Sequence, residues 1–212
     1  MQGSGLTITL IIVIVTCLIS YRAFNDGYFK GKLLHRPYLE HHNKEYYRLL
    51  THGFIHANWV HLLINMFVLW MFGEYIERVF ISLFGTMKGR LFFILMYILT
   101  IIAASIPTHL KHKDNSYYAA LGASGATSGV VFAFVLFNPW ENLYIYGLLP
   151  IPAIIAAILY LAYSSWASKN SRDNIGHDAH LYGAIFGFLF TIALKPSLFL
   201  SFLTKVIHEA PF

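Results

Sequence analysis

Two serines four positions apart stand in the stretch LGASGATSGV, residues 121–130, and His180 stands near the head of AHLYGAIFG, residues 179–187. A serine hydroxyl beside an imidazole is a nucleophile beside a base, the pair that acyl transfer requires. The two serines differ in surroundings. Ser124 lies where a hydrophobic run begins, so nearby backbone N–H groups lack helical partners and the helix dipole is positive, which favours an oxyanion. Ser128 lies one turn further in, where a hydroxyl back-bonds to the carbonyl four residues earlier. Ser124 is therefore the better nucleophile. A third cluster, THGFIHANWVHLLIN, holds His52, His56, His61 and Asn65. His61 and Asn65 are spaced i, i+4 and share one face of a helix.

The elements that carry these residues are apolar. Of 212 residues 57% are hydrophobic and 12% charged, with mean hydropathy +0.58; soluble domains carry about 25% charged residues. Six hydrophobic segments are expected as helices, at residues 6–24, 57–80, 91–107, 121–137, 148–166 and 179–195, each near the ~20 residues that span a bilayer. The expected fold is all-α: a polytopic membrane protein with a six-helix transmembrane bundle, one membrane domain over residues 1–212. Pro150 and Pro152 fall near the start of the fifth segment, where proline is tolerated. The first loop, 25–56, is long enough to have work of its own. No cleaved leader is expected, because the first run lacks a basic flank before it and a small-residue cleavage site after it.

On the sixth segment, a 100° step per residue brings His180 within about 20° of Gly187 and about 60° of Gly183. The fourth segment carries a matching stripe, Gly125 and Gly129. Small residues let two helix backbones approach closely, which would set Ser124 beside His180. Asp178 lies two residues before His180 and points elsewhere; it is expected to cap the sixth helix. Met66 and Trp70 read as lipid-facing or core bulk. Basic residues are scattered without an aromatic-interleaved stripe, which argues against nucleic acid; the net charge of +5 suits anionic lipid headgroups. The lone Cys17 makes no internal disulfide.

Three patterns together resemble the rhomboid family of intramembrane serine proteases: G-x-S-G in GASGA, A-H-x-x-G-x-x-x-G in AHLYGAIFG, and H-x-x-x-N in HANWVHLLIN. They occur in the family's order, and the resemblance covers the whole chain. It implies a dyad of Ser124 as nucleophile and His180 as general base, without a carboxylate. It implies that His61 and Asn65 support the oxyanion alongside the Ser124 backbone N–H. His56 and His52 then match structural histidines, Arg48 the arginine of a Trp-Arg pair in the first loop, and Glu77 a structural glutamate at the far end of the second helix. Gly183 and Gly187 are the close-packing positions. Tyr47 replaces the tryptophan of that pair. Ser128 stands where the family often has an aromatic ring packed on the catalytic histidine, so Ser128 is expected either to hydrogen-bond near His180 or to leave space for a neighbouring side chain.

The implied activity is cleavage of transmembrane segments of membrane-protein substrates, with lipid as surroundings and no metal or other cofactor. Entry is expected to require movement of the fifth helix and of the loop 167–178. Two other readings stand beside it: a non-catalytic rhomboid-like protein that binds membrane clients, and a histidine-box metal enzyme. The second lacks the tight histidine spacing such enzymes use. Charge count and family likeness give opposite orientations. Loops after segments one, three and five carry 6, 2 and 2 Lys/Arg, the other side 3, none and 2. The positive-inside rule would place the first loop in the cytoplasm, whereas in bacterial relatives the site opens away from it. Pairing of the loop's charges with Glu40 and Glu45 would reconcile the two.

Overall fold

The computed structural model describes residues 6–145, 148–170 and 176–211. The long helices are α1 (Ile8–Asn25), α5 (Trp59–Phe84), α6 (Thr86–His112), α7 (Ser124–Phe137), α8 (Ala153–Asn170) and α9 (His177–Leu194). The loop between α1 and α5 is itself folded, into α2 (Gly27–Leu33), α3 (Pro37–His42), α4 (Arg48–Thr51) and a 3-10 turn, His52–Phe54. A helix absent from the expectations, α10 (Ser197–His208), closes the described chain.

Apolar sequence makes these helices, and polar residues set their ends. The Thr7 hydroxyl accepts from Leu10 N–H, Asp26 from Phe29 N–H, and Asn58 from His61 N–H, each satisfying a donor at a helix start. Gly85, at φ +81°, turns α5 straight into α6, a conformation glycine adopts without penalty. At this same end of the bundle Glu77 is fully buried. Its carboxylate accepts the N–H groups of Ile8 and Thr9 at 3.0 and 2.9 Å and the Thr9 hydroxyl at 2.9 Å. An acidic side chain on α5 thereby caps α1 from outside, with the charge at the positive end of the dipole.

Three helices among the described residues, α1, α5 and α6, are long and apolar enough to cross a membrane, and α9 with α10 make a fourth if that bent pair is one span. The chain is an integral membrane protein. The boundaries depart from expectation at several ends: α5 runs on to Phe84 and α6 begins already at Thr86. α6 continues through Pro107 to His112 instead of ending there. The fifth helix begins at Ala153, not 148, because Leu149–Pro152 form a strand, β2, paired antiparallel with β1 (Asn142–Ile145). Pro150 and Pro152 thus sit in a strand that has a free edge, where a missing N–H costs little. Finally, α8 runs on to Asn170, so only part of the polar loop 167–178 is loop, and residues 171–175 lie outside the described residues.

α7 lies in the middle, buried along most of its length and packed against α5, α6 and α9. Its approach to α9 is backbone on backbone. A Cβ on Gly183 would stand 2.1 Å from the Gly125 carbonyl oxygen, and one on Gly187 2.3 Å from that of Gly129. No side chain fits at either position.

Candidate functional site

A cavity of about 940 Å³ runs from the folded first loop down between α5, α7 and α8. Its upper part is polar, with His35, His52 and Ser105. Its lower part is apolar, with Val68, Val135 and Ala156. His61, Asn65, Ser124, Ser128 and His180 all line it. Ser124 is the first residue of α7, and His180 is in the first turn of α9. Their neighbours touch: the position a Cβ would take on Gly125 is 3.2 Å from the Ala179 carbonyl. The glycine stripes bring the heads of these two helices together at the cavity.

The approach to Ser124 is held by the first loop. His35 and Ala120 exchange both backbone hydrogen bonds, each 3.0 Å, and Gly122 N–H donates to the His52 carbonyl at 3.0 Å. Gly122 takes φ +122°, and a Cβ there would sit 2.7 Å from the His61 ring. Glycine is required twice over, by conformation and by space. No side chain caps α7, so the first-turn N–H groups beginning at Ser124 keep their hydrogen-bonding capacity.

His56 fixes the junction through its tautomer. Its Nε2 accepts the Ala123 N–H at 3.3 Å, so the ring proton lies on Nδ1, facing Ser20 Oγ at 3.0 Å. Ser20 passes its own proton to the Phe54 carbonyl at 3.0 Å. Burial first, and His61 second, push the His56 pKa down to about 3; the neutral ring that this wiring needs is the one favoured. His52 Nε2 meets Ser105 Oγ at 2.7 Å, and burial first holds its pKa at about 3 as well.

Asn65 is oriented by both ends of its amide. Nδ2 donates to the His61 carbonyl at 2.9 Å, and Oδ1 accepts from Thr127 Oγ at 3.2 Å. One Nδ2 proton remains available. Arg48 is buried, donating to the carbonyls of Gly31, Lys32 and Leu34 and pairing with Glu45 at 2.6 Å. Its guanidinium lies 5.2 Å from the Tyr47 ring. Glu40 accepts from His35 and His109 rings at 2.6 and 2.7 Å and from Arg36 N–H. Burial alone would raise this carboxyl, but the two imidazole hydrogen bonds outweigh it and hold its pKa below the usual range. Loop charge is thus partly internal, with Glu45 serving Arg48 and Glu40 serving histidines.

One expectation is corrected. Asp178 does not cap α9: the cap position is Gly176, and the Asp178 carboxylate pairs with Lys111 of α6 at 3.1 Å. The longer α6 supplies that lysine, so the residue is a charge partner across helices. Met66 is buried and Trp70 is half-exposed, as core and lipid-side residues respectively. Among the described residues no three His, Cys, Asp or Glu side chains converge as a metal site would need.

At Ser128 the hydroxyl donates to the Ser124 carbonyl at 2.8 Å and meets the Tyr160 hydroxyl at 2.6 Å. The Tyr160 ring in turn stacks on His180 with centroids 6.2 Å apart and planes at 21°. Tyr160 is not among the residues the sequence singles out; nothing in a single sequence marks one tyrosine of an apolar helix as facing inward. Ser20, Ser105 and Thr127 were missed for the same reason.

The Rhomboid domain profile matches residues 43–197. RHOMBOID-like protein 12, mitochondrial, of Arabidopsis thaliana is 29% identical over 145 residues, which are 64% of this chain and 43% of that one. Rhomboid-like protein 11, chloroplastic, of the same plant is 29% identical over 76% of this chain and 57% of its own length. Rhomboid protease GlpG of Haemophilus influenzae is 25% identical over 86% of this chain and 88% of its own. The chain spans about half the length of the two plant relatives it matches.

Proposed function

The chain belongs to the rhomboid family, and from that premise we propose that it is an intramembrane serine endopeptidase working through Ser124 and His180. The observation that carries this reading is the shared cavity: a serine at an uncapped helix start and a histidine on a helix packed against it, both lining one polar-to-apolar space.

In this reading Ser124 Oγ attacks the scissile carbonyl carbon while neutral His180 takes the hydroxyl proton. The carbonyl oxygen becomes an oxyanion, held by the Ser124 N–H at the head of α7, the free Asn65 N–H and the His61 ring. Collapse breaks the C–N bond, and His180 returns the proton to the leaving amine. Water, deprotonated by the same imidazole, then releases the acyl group from Ser124. Lys111 occupies the Asp178 carboxylate, so Asp178 is paired away from the base.

Substrates are transmembrane segments of other proteins. A helical carbonyl is hydrogen-bonded and shielded, so a segment with helix-weakening residues and a small residue at the cut is the preferred class. The apolar limb of the cavity accommodates the lipid-embedded part, and displacement of α8 admits it. The site is assigned to the face away from the cytoplasm of a bacterial inner membrane, supported by the internal pairing of Arg48 with Glu45.

The direct test is a fluorophosphonate serine probe on the purified chain, with the adduct located by mass spectrometry and an active relative labelled in parallel. Labelling at Ser124 that disappears in His180→Ala is expected. An adduct at Ser128 overturns the choice of nucleophile; none while the relative is labelled overturns the dyad and favours a client-binding role or metal chemistry.

A further inference from the structure

We propose that Tyr160 of α8 is a positioning residue for His180, so that the helix flanking the cavity carries part of the catalytic geometry. The inference rests on the Ser124–His180 reading above and deepens it.

Proton bookkeeping defines the arrangement. Ser128 has one hydroxyl proton, and the Ser124 carbonyl can only accept, so the 2.8 Å contact between them uses it. The 2.6 Å contact with Tyr160 then has the phenol donating and Ser128 Oγ accepting. A chain results, from the Tyr160 hydroxyl through Ser128 to the backbone carbonyl of Ser124. The other end of the same side chain is the ring, stacked on His180 within the offset-stacking range. Phe132 of α7, buried, braces that ring with centroids 5.9 Å apart. One tyrosine thus touches the serine-bearing helix with its hydroxyl and the histidine with its face.

Its place on α8 gives this a consequence. The fully buried residues of α8 are all small, Ala153, Ala157, Ser164 and Ala167, while Ile158, Leu159 and Trp166 are exposed. Tyr160 is the large polar side chain that α8 delivers to the cavity. Any displacement of α8 withdraws the ring from His180 and the donor from Ser128 together. The Tyr160 ring supports the imidazole while α8 is seated, which couples the opening of the cavity to the aim of the base.

The test measures the rate of fluorophosphonate labelling at Ser124 across about pH 5 to 9, on the full chain in detergent micelles, since that profile reports ionisation of the base. Tyr160→Leu should slow labelling by about tenfold or more and move the pH midpoint, with His177 and the Asp178–Lys111 pair left in place. Tyr160→Phe, which keeps the ring, should keep the midpoint. Ser128→Tyr added to Tyr160→Leu puts a ring back within reach of His180 and should return the midpoint towards that of the parent chain.

A Tyr160→Leu chain labelled at the parent rate and midpoint overturns the proposal. So does a rate that falls only with the folded fraction, read from thermal melts, at an unchanged midpoint, because that is packing alone. If the parent chain itself is not labelled at Ser124, the dyad reading has failed and this inference falls with it. That result differs from a labelled parent that is indifferent to Tyr160.

Discussion

A single imidazole decides how the head of α7 is held. His56 is fully buried with Nε2 as an acceptor, and its pKa is pushed down to about 3 from 6.5. The unfolded chain therefore binds a proton below pH 6.5 that the folded chain refuses until about pH 3, so stability falls as pH drops through that window. At pH 5 the loss from His56 alone is about 2 kcal/mol. Melts in micelles at falling pH should show it, and His56→Gln should flatten the slope even if the variant starts less stable. An unchanged slope would mean the site does not protonate as described. Glu40 adds to acid sensitivity lower down, because its depressed pKa makes its contribution complete above about pH 4.5 and lost below. Ser128→Ala is the companion variant at neutral pH: it strands the Tyr160 hydroxyl, and probe labelling at Ser124 should slow several-fold, about 1 kcal/mol for a lost buried hydrogen bond. Residue types and spacings made Ser124, His180 and the His61–Asn65 pair readable from the sequence, since each recurs in a short pattern tied to one helix. Tyr160 was not readable, because its role comes from which way α8 is rotated, and an apolar helix has no polar face to announce that.

At the scale of elements the glycine stripes do the positioning. Gly183→Ala must push Cβ to within 2.1 Å of a backbone oxygen, and neither helix can yield without carrying Ser124 or His180 with it. Overpacking of this kind costs about 1–3 kcal/mol; both melting temperature and labelling rate should fall. Gly31→Ala is the contrast, since a Cβ there meets nothing within 4 Å in a helix, and a gain of up to about 1 kcal/mol is expected. If Gly183→Ala behaves like Gly31→Ala, the close approach of α7 and α9 is wrong. The six apolar stretches all recur as helices, because length and hydropathy suffice to find them. Their ends did not follow from hydropathy. The strands Asn142–Ile145 and Leu149–Pro152 are apolar yet extended, and α6 passes through a proline. Folding of the first loop into α2, α3 and α4 depends on Arg48 meeting carbonyls 14–17 residues away and on Glu40 meeting His109 of α6, which no local pattern encodes.

For the whole molecule the polar economy is two-ended. Around the cavity mouth lie the first loop, the end of α6 and the start of α9; at the opposite end lie Glu77, the α5–α6 turn, the β1–β2 pair and α10. α10 bends 115° from α9, and Lys205 ties it back to the end of α7 through the Phe137 carbonyl at 2.7 Å. Orientation is tested on this layout. In a Cys17→Ser background, Lys113→Cys should react with a membrane-impermeant maleimide added to intact cells or spheroplasts, and Lys88→Cys should not. The reverse pattern would restore the positive-inside assignment and refute the proposed facing of the site.

The cap that Glu77 places on α1 also orders events during synthesis. Ile8 and its carboxylate partner are 69 residues apart, so at ribosomal speeds α1 emerges roughly 3–14 s before its cap exists. During that interval the head of α1 depends on water, headgroups or the insertion machinery for its first N–H groups. α1 precedes α5 in the chain yet cannot be finished before it. A ribosome-stalled chain that ends before Glu77 has left the exit tunnel should carry an undocked α1, and one stalled after it a docked one.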